Sequence, residues 1–513
     1  MRNFWYFIPL CGWLFGCASE KPPLPNIIIV LADDLGYGDI GAFNQESKIK
    51  TPHLDQMAAE GLIATDAHSP AAVCTPTRYG ILTGRYPWRS RLKRGVLTGN
   101  SSALIPNDRT TIASLLKEKG YATGFVGKWH LGWDWAVKEG REIKGEGWNA
   151  GDFDAIDFTR PINNGPKELG FDYSFGHAGS LDMAPYVYVE NGRVTAPPDR
   201  VTVDEGQYSW WRRGPTGADF IHEQVTPLCF EKASAFIQEQ SMEAAPFFLY
   251  LALPSPHTPV LPTREWEGQS GLLPYADFMM MIDHYMGQLM AKLPENTLIF
   301  FTSDNGASPA GGIEAFKAFD HYSSYIYRGH KADLYEGGHR VPFIAHWSER
   351  IEPGSVVSQP LSLTDFMATF SELIDRPLDN GEGEDSFSFL SWLDRRVQDD
   401  ELTSSQRVLV QQSIDGNLAL RMGDYKLLAA PGSGGWSFPK ASDTIINSLP
   451  PYQLYHIVND PGETVNLWED QKDFGVTLIQ QLEKLIADGR SRPGESVAND
   501  NFDGNWAQIE FDY

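Results

Sequence analysis

The stretch NIIIVLADD (26–34) is an unbroken apolar run that stops abruptly at two aspartates. Three later runs have the same form, each ending in charged or hydrogen-bonding residues: YATGFVGKWH (121–130), PFFLYLALPSPHTP (246–259) and NTLIFFTSDNG (296–306). Apolar runs that do not alternate with polar residues are typical of strands covered on both faces, as in parallel sheets. These four stretches therefore predict the central strands of the fold.

Segments with helical periodicity lie between the predicted strands. They are TPHLDQMAAEGL (51–62), TIASLLKEKG (111–120) and YADFMMMIDHYMGQLMAKL (275–293), whose methionines at 279–281 are expected in the core. This alternation predicts an α/β fold with a large mixed, mainly parallel sheet flanked by helices. Because ligands bind beyond the carboxyl ends of such strands, we expect the polar residues that end the four runs to line one crevice.

Composition limits the functions that this chain can have. Its 513 residues are 42% hydrophobic and 12% aromatic, which predicts a globular protein of two or more domains. The net charge of −25 argues against general binding to nucleic acid or to anionic membranes. An anionic substrate would therefore need a locally basic pocket.

The first residues have the features of an export signal. Arg2 precedes FWYFIPLCGWLFG (4–16), which is too short to span a bilayer but suits a signal peptide over residues 1–16. Gly16 before Cys17 resembles a bacterial lipobox, so we expect a lipid on Cys17, a short tether over 17–25, and a periplasmic or outer-membrane-attached protein. Export without a lipid is the alternative.

Two cysteines, Cys74 and Cys229, remain in the body of the protein once Cys11 and Cys17 are assigned to the export signal. Two cysteines in an exported chain of this size do not make a disulfide framework. Cys229 lies in a helical pattern, VTPLCFEKASAFI, and is expected to be a buried apolar residue. Cys74 lies in AAVCTPTRYGILTGR (71–85) and is open to four interpretations: a packed thiol, a nucleophile, a metal ligand or a chemically altered residue.

The polar residues at the strand ends indicate a divalent metal site. Asp33, Asp34, Asp304 and Asn305 offer hard oxygen ligands without a histidine or cysteine among them, which favours Ca²⁺ or Mg²⁺ over zinc. Each pair also fits a turn or a helix cap when taken alone. A Cys74 thiolate beside such a cation is a poor match, because thiolates prefer soft metals.

Basic and titratable residues near the same strand ends indicate group transfer. Lys128, Lys331 and Arg78 could hold a tetrahedral oxyanion. His130 and His257 are candidates for proton transfer, although each could also be an ordinary loop residue. Together with a divalent cation these residues suit transfer of a sulfuryl or phosphoryl group.

Six blocks of the sequence resemble the type I, formylglycine-dependent sulfatases of the alkaline phosphatase superfamily, and arylsulfatase A in particular. CTPTRYGILTGR (74–85) resembles the signature in which a cysteine is oxidised to formylglycine, and GYATGFVGKWH (120–130) resembles the second signature. The other four blocks, in the order of the family, are LADDLGYGD (31–39), SPHTP (255–259), TSDNG (302–306) and HKADLYEGGHRVP (330–342).

The end of the chain resembles the small C-terminal subdomain of that family. The matching stretches are LRMGDYKLL (420–428) and QLYHIVNDPGETVNL (453–467). The resemblance implies a sulfatase catalytic domain over residues 26–385. It also implies a subdomain over residues 386–513 with a short antiparallel sheet.

The resemblance also implies a role for each site residue. Formylglycine formed from Cys74 by a formylglycine-generating or anaerobic maturation enzyme would supply a geminal diol, and one hydroxyl would attack sulfur. Asp33, Asp34, Asp304, Asn305 and the modified residue 74 would hold calcium, with Asp304 also activating the hydroxyl and Arg78 steadying the diol. Lys128 and Lys331 would clamp sulfate oxygens, His257 would protonate the leaving oxygen, and His130 would accept the proton of the second hydroxyl.

Three segments are candidates for contact with a carbohydrate. WRSRLKRG (88–95) contains Arg89, Arg91, Lys93 and Arg94, which form either a basic rim for a polyanion or a solvated turn. SWWRRG (209–214) offers Trp210 and Trp211 for stacking on sugars and Arg212 for a carboxylate or sulfate, or else ordinary loop packing. The third segment, SLDMAPYVYVENG (180–192), is a candidate for the lining of the pocket, and His177 and Asp182 are candidates for contacts with sugar hydroxyls.

We therefore expect a sulfuric ester hydrolase acting on a sulfated carbohydrate outside the cytoplasm. The strong acidity favours a salt-rich habitat and hence a marine or algal glycan such as ulvan or a galactan, with host glycosaminoglycans as the alternative. Two other functions stay open: a phosphodiester or phosphonate hydrolase with the same layout, and a glycan-binding lipoprotein with an inactive site.

Overall fold

The computed structural model describes residues 23–145, 147, 150–348, 350–394 and 407–501. The predicted signal peptide, Cys17 and most of the predicted tether lie outside these residues. The described strands are β1 (Asn26–Asp33), β2 (Leu62–Ala64), β3 (Ala67–His68), β4 (Ala122–Lys128), β5 (Tyr173–His177), β6 (Val189–Glu190), β7 (Arg193–Val194), β8 (Pro198–Asp204), β9 (Trp211–Gly217), β10 (Phe247–Pro256), β11 (Thr297–Ser303), β12 (Phe343–Trp347), β13 (Ser355–Val357), β14 (Leu361–Ser362), β15 (Val408–Gln412), β16 (Leu418–Met422), β17 (Tyr425–Leu428) and β18 (Gln453–His456).

The helices in the same residues range from one turn to almost five. They are α1 (Pro52–Glu60), α2 (Cys74–Thr83), α3 (Ile112–Lys117), α4 (Val225–Gln240), α5 (Pro274–Met290), α6 (Ile313–Phe316), α7 (Glu336–His339), α8 (Phe366–Leu373), α9 (Leu390–Leu393) and α10 (Lys472–Asp488). Within the described residues no helix combines the length and the apolar character needed to cross a membrane.

The central sheet has ten strands in the order β13-β2-β12-β11-β1-β10-β4-β5-β6-β7. The four strands predicted from apolar runs, β1, β4, β10 and β11, are neighbours in the middle of this sheet and run parallel to one another. Strand β12 runs antiparallel to β11. The prediction of a mixed, mainly parallel sheet is therefore confirmed, and the carboxyl ends of these four strands meet at one edge.

The apolar runs are strands because both faces of the sheet are covered. In β1 every residue from Ile27 to Ala32 is fully buried, and β10 is buried along its whole length. Each fully buried aliphatic side chain stabilises the fold by roughly 1.5–3 kcal/mol. Helices α4 and α5 pack on this sheet, and they bury Cys229, Met279 and Met281 as the sequence predicts.

A second, smaller sheet lies near the end of the chain. Strands β15 to β18 form an antiparallel meander, and α10 packs on it. This arrangement confirms the expected short antiparallel sheet. The boundary between residues 385 and 386 stays a prediction; Leu390 and Leu393 of α9 pack into the main core.

Candidate active site

Four residues with side-chain oxygens meet at the carboxyl ends of β1 and β11. Asp33 ends β1 and Asp34 follows it, whereas Asp304 and Asn305 follow β11, and all four are buried. The amide of Asp34 donates to Asp304 Oδ1 at 3.2 Å, and Asn305 Nδ2 donates to Asp34 Oδ1 at 2.7 Å. Asp33 Oδ1 and Asn305 Oδ1 have no hydrogen-bond partner among the described residues.

Three cations neutralise the three carboxylates. Lys128 Nζ lies 2.5 Å from Asp33 Oδ2, and Lys331 Nζ lies 2.6 Å from Asp34 Oδ1. Arg78 Nη2 lies 2.7 Å from Asp304 Oδ2, and its Nη1 donates to the carbonyl of Lys128. We call the following group the strand-end cluster: Asp33, Asp34, Asp304, Asn305, Arg78, Lys128, Lys331, His130 and His257.

The carboxylates of this cluster differ in proton affinity. Burial opposes ionisation of Asp33, but the charges of Lys128 and Arg78 outweigh it and hold the pKa of Asp33 well below its ordinary value. Burial and the nearby charge of Asp33 raise the pKa of Asp304 to about 7. The cluster therefore holds one firmly ionised carboxylate and one whose proton is exchanged near neutral pH.

Cys74 is the first residue of α2, and the chain reaches it through an extended Val73. Its sulfur lies within 4.8 Å of carboxylate oxygens of Asp33 and Asp304. Burial raises the pKa of the Cys74 thiol, and the charges of Lys128 and Lys331 only partly offset this effect. The unmodified thiol is thus neutral and a weak nucleophile.

The two histidines of the cluster are buried and held in defined orientations. His130 Nε2 donates to the carbonyl of Leu97 at 2.8 Å, and its Nδ1 has no partner among the described residues. His257 Nδ1 donates to the carbonyl of Thr258, and its Nε2 lies 3.6 Å from Asp34 Oδ2. Burial lowers the pKa of both, and the nearby lysines lower it further, so each is neutral with one free ring nitrogen.

Several residues in and around the strand-end cluster have a left-handed backbone conformation, which residues with a Cβ atom rarely adopt. Asp34 and His130 have φ values of 66° and 53°, and Ala332, next to Lys331, has φ 83°. Gly127 has φ 115°, and a Cβ there would lie 1.9 Å from the carbonyl oxygen of Ala252. Left-handed backbone at non-glycine residues is commonly found at functional sites, where the surrounding packing holds it.

The predicted carbohydrate contacts fall into two groups. His177 ends β5 directly beside Lys128 in the neighbouring strand, and its Nε2 has no partner in the described part of the chain. Burial and the charge of Lys128 lower the pKa of His177 to about 3. Asp182, Trp210, Trp211 and Arg212 form the second group.

The second group lies on and beside β9. Arg212 forms an ion pair with Asp182, and its guanidinium lies 5.1 Å from the ring centre of Trp210. Trp211 stacks on His222 with ring centres 3.9 Å apart. The sequence analysis did not single out His222, because no motif links it to Trp211.

The prediction that Arg89 belongs to an exposed basic rim is wrong. This residue is fully buried and pairs with Asp385, and its guanidinium lies over the ring of Trp88. Arg91 and Arg94 are exposed, as a rim requires, but Arg91 donates to the carbonyls of Ser102 and Ala103. The stretch 88–95 therefore contains one buried arginine that stabilises the fold, Arg89, followed by the exposed Arg91 and Arg94.

Sequence reasoning missed a second buried cluster of charges, which joins the small sheet to the main body. We call it the junction cluster; its members are Asp66, His68, Glu336, His339, Arg340, Arg421, Lys426 and Glu463. Lys426 donates to Glu336 and to Glu463 at about 3 Å, and its Nζ lies 3.0 Å from His339 Nε2. Arg340 and Arg421 both pair with Asp66.

Part of the signal for this cluster was present in the sequence. Glu336, His339 and Arg340 lie in the block HKADLYEGGHRVP, from which only Lys331 was assigned a role. The remaining members come from β3 and the turn before it, from β16 and β17, and from the loop after β18, so that local patterns cannot connect them. No buried side-chain atom of these described residues lacks a hydrogen-bond partner, so the junction cluster offers no unused ligand atom to a metal ion.

Comparison with known proteins gives the same family throughout. The sequence profile of the sulfatase family matches residues 25–375. The chain is 32% identical to an N-acetylgalactosamine-6-O-sulfatase of Bacteroides thetaiotaomicron, covering 96% of this chain and 100% of that protein. It is 31% identical to human arylsulfatase A, covering 92% and 88% of the two chains.

A solved structure from the same bacterium, a 6S-sulf protein described with the metabolism of multiple glycosaminoglycans, has a TM-score of 0.75. It is 30% identical in sequence, and the match covers 90% of this chain and 99% of that one. The similarity therefore extends over both sheets.

Proposed function

The chain belongs to the sulfatase family, and from this premise we propose that it hydrolyses sulfate esters of sulfated carbohydrates with a nucleophile derived from Cys74. As a member of that family it is a sulfuric ester hydrolase. The observation that carries the proposal is the meeting of Cys74, three cations and two histidines around the oxygen-rich ends of β1 and β11.

The oxygens of Asp33, Asp34, Asp304 and Asn305 fit a calcium ion, with magnesium as the alternative. Asp33 Oδ1 and Asn305 Oδ1 are buried without a partner in the described residues, and such atoms are costly unless a ligand binds them. The modified residue 74 would add a further oxygen. A divalent cation held there would polarise the sulfate group.

Conversion of Cys74 to formylglycine would remove the mismatch between a thiol and hard oxygen ligands. Formylglycine supplies a hydrated aldehyde whose hydroxyl attacks sulfur. The raised pKa of the unmodified thiol supports this assignment, because a neutral buried thiol attacks poorly. Arg78, which spans Asp304 and the Lys128 carbonyl, would hold residue 74 in place.

The lysines and histidines would complete the reaction. Lys128 and Lys331 would hold sulfate oxygens, because each presents a buried ammonium group to the cluster. Binding of the anionic sulfate ester beside His257 would favour its imidazolium form, whose Nε2 proton would pass to the leaving oxygen while Nδ1 donates to the Thr258 carbonyl. His130 would then accept at its free Nδ1 the proton of the second hydroxyl, so that sulfate is expelled and the aldehyde re-forms. Proton transfer of this kind contributes about 10²–10⁴-fold to the rate.

For the substrate we propose a 6-sulfated N-acetylhexosamine in a glycosaminoglycan chain, in preference to an algal ulvan or galactan. The support comes from the names of the relatives, which include N-acetylgalactosamine-6-sulfatases from a bacterium and from mammals. His177, Asp182, Trp210, Trp211 and Arg212 would contact the sugar, and Arg91 and Arg94 would attract a polyanion.

The test is sulfate release by protein produced together with a maturation enzyme. A panel of N-acetylgalactosamine 6-sulfate, galactose 6-sulfate, carrageenan and ulvan oligosaccharides would rank the substrates. We expect the aminosugar 6-sulfate to be hydrolysed fastest and Cys74→Ala to be inactive on all of them. A dominant rate on the phosphate ester of an aryl alcohol, compared with its sulfate ester, would overturn the assignment as a sulfatase.

We propose in addition that the protein is exported and carries a lipid on Cys17. The support is the apolar run 4–16 and the Gly16-Cys17 pair. A Cys17→Ser variant should then move from the membrane fraction to the soluble fraction. An unchanged distribution would contradict the lipid anchor.

A further inference from the structure

Exposed aromatic side chains are concentrated in one place on the described surface. Phe319, Tyr322, Tyr325, Trp436 and Phe438 are each at least 39% exposed, and no other phenylalanine, tyrosine or tryptophan of the described residues is exposed to this degree. They come from two distant segments, 319–325 and 436–438. Contiguous exposed apolar surface commonly marks a binding site.

Four of these aromatic residues, all except Phe319, line one cavity of about 560 Å³. Ser323 also lines it, and although this residue is only 3% exposed, its Oγ has no hydrogen-bond partner among the described residues. A buried hydroxyl without a partner leaves a donor and two lone pairs available to a ligand. The cavity thus combines aromatic faces with an unused polar group, as small-molecule sites do.

The cavity borders the strand-end cluster. His330 lines the cavity, and the next residue, Lys331, pairs with Asp34. The amide of Lys331 donates to the carbonyl of Ala307, and the chain then runs from Ala307 into α6, whose Ile313 and Glu314 form part of the cavity wall. The cavity and the strand-end cluster are therefore connected through adjacent residues of the same loop, His330 and Lys331.

Asp333 holds the two sides of the cavity together. Its carboxylate accepts hydrogen bonds from the amides of Trp436 and Ser437 at 2.8 and 2.9 Å and from the amide of His330 at 3.0 Å. The exposed rings of Trp436 and Phe438 are consequently on a segment fixed to the loop that carries Lys331. Rings on a fixed segment lose little conformational freedom when they stack on a ligand.

The charge of the cavity wall is the reverse of the charge of the whole protein. Two cations, Lys317 and Arg328, line it together with a single acid, Glu314, which pairs with Lys317, whereas the chain as a whole carries −25. Aromatic rings beside cations suit the faces of sugar rings that bear anionic groups. An anionic carbohydrate chain matches both features.

We propose that this cavity is a second subsite, which binds a sugar unit of the glycan next to the sulfated unit in the strand-end cluster. The inference rests on the proposed function and specifies its substrate as an oligosaccharide or polysaccharide chain. Trp436, Phe438, Tyr322 and Tyr325 provide the stacking surfaces, and Ser323 provides a hydrogen bond to a sugar hydroxyl.

The test compares substrates of different length. Matured enzyme and the variants Trp436→Ala/Phe438→Ala and Ser323→Ala are assayed with 4-nitrophenyl sulfate, a sulfated monosaccharide and a sulfated tetrasaccharide of a glycosaminoglycan. We expect kcat/KM of the double variant to fall roughly tenfold on the tetrasaccharide. Its rates on the aryl sulfate and the monosaccharide should stay within about twofold of the parent, and Ser323→Ala should show a smaller loss on the tetrasaccharide only.

Met242→Ala removes a more exposed apolar side chain from the turn after α4, outside the cavity, and serves as the control. Equal losses on all three substrates, or no loss on the tetrasaccharide, would overturn the second subsite while leaving the sulfatase reaction intact. If no sulfate is released from any substrate, the proposed function fails instead. In that case, calorimetry measures binding of the tetrasaccharide to the Cys74→Ala protein with and without the Trp436→Ala/Phe438→Ala substitutions. Weaker binding with the aromatic substitutions would support the second subsite, and unchanged binding would contradict it.

Discussion

The strand-end cluster and the junction cluster contain the same titratable side chains in the same numbers. Each has three carboxylates, three cations and two histidines, all of them largely buried. Among the described residues, no buried side-chain atom of the junction cluster lacks a partner, whereas Asp33 Oδ1, His130 Nδ1 and Asn305 Oδ1 of the strand-end cluster lack one. Since an unpaired buried polar atom costs about 1–3 kcal/mol, the strand-end cluster is the one that we expect to bind a ligand.

The comparison teaches that charge content alone does not identify a site. In the junction cluster Lys426 is shared by two carboxylates, Glu336 and Glu463, and it connects the small sheet to the segment that follows Lys331. The strand-end cluster has the same charges but unused atoms, a neighbouring cysteine and left-handed backbone at two members. Four experiments test this distinction.

The largest expected effect is that of Cys74→Ala. Without a nucleophile, kcat/KM should fall by about 10⁴-fold or more, while the free energy of unfolding changes by only about 1 kcal/mol. Sulfate release and urea denaturation measure the two quantities. Cys229→Ala removes the other buried cysteine and is the matched control, with activity close to that of the parent; comparable activity in the two variants would refute the role of residue 74.

His257→Ala should be the next largest effect, because a leaving alkoxide needs a proton. We expect kcat/KM on a carbohydrate sulfate to fall by about 10²–10⁴-fold. The loss should be much smaller on 4-nitrophenyl sulfate, since nitrophenolate leaves without protonation. Steady-state kinetics on both substrates decides; equal losses would show that His257 does not act as the acid.

Lys426→Met removes the shared cation of the junction cluster and should lower the stability of the protein. It leaves Glu336 and Glu463 buried without their shared cation, which should reduce the free energy of unfolding by about 3–5 kcal/mol. Lys484→Met, which removes an exposed ion pair with Asp488, should change it by less than about 0.5 kcal/mol. A loss as small as that of the control would mean that the junction cluster does not fasten the small sheet.

Stabilisation by added Ca²⁺ should be the smallest of the four effects, and it should depend on the strand-end cluster and not on the junction cluster. At a hundred times the dissociation constant, the ion should stabilise chelator-treated protein by about 2.7 kcal/mol in thermal unfolding. Asn305→Ala should weaken this response, and His68→Gln should retain it. The reverse pattern would place the cation in the junction cluster.

The strand-end cluster could be predicted from the sequence because each of its parts is a short stretch of consecutive residues. A buried apolar run and the aspartate, lysine or histidine that ends it are neighbours in the chain, and parallel strands bring those ends to one edge of the sheet. The same reasoning found β1, β4, β10 and β11 within two residues of their observed starts.

The junction cluster could not be predicted from the sequence, because its residues are far apart in the chain. The bond between Arg421 and Asp66 joins residues 355 positions apart, and neither residue belongs to a run that points to the other. Arg89 illustrates the same difficulty, since its partner Asp385 lies 296 positions away and turns a residue of a basic stretch into a buried one. Short strands such as β6 and β7 gave no periodic signal at all.

The burial of Cys74 has a consequence for the order of events during synthesis. This side chain is only 2% exposed and lies under contacts such as that between Asp34 and Asp304, which are 270 positions apart. Those contacts cannot form until the chain has emerged from the ribosome beyond β11. If Cys74 is converted to formylglycine as proposed, the maturation enzyme would have access to it during that interval and would lose this access once the last central strand is in place.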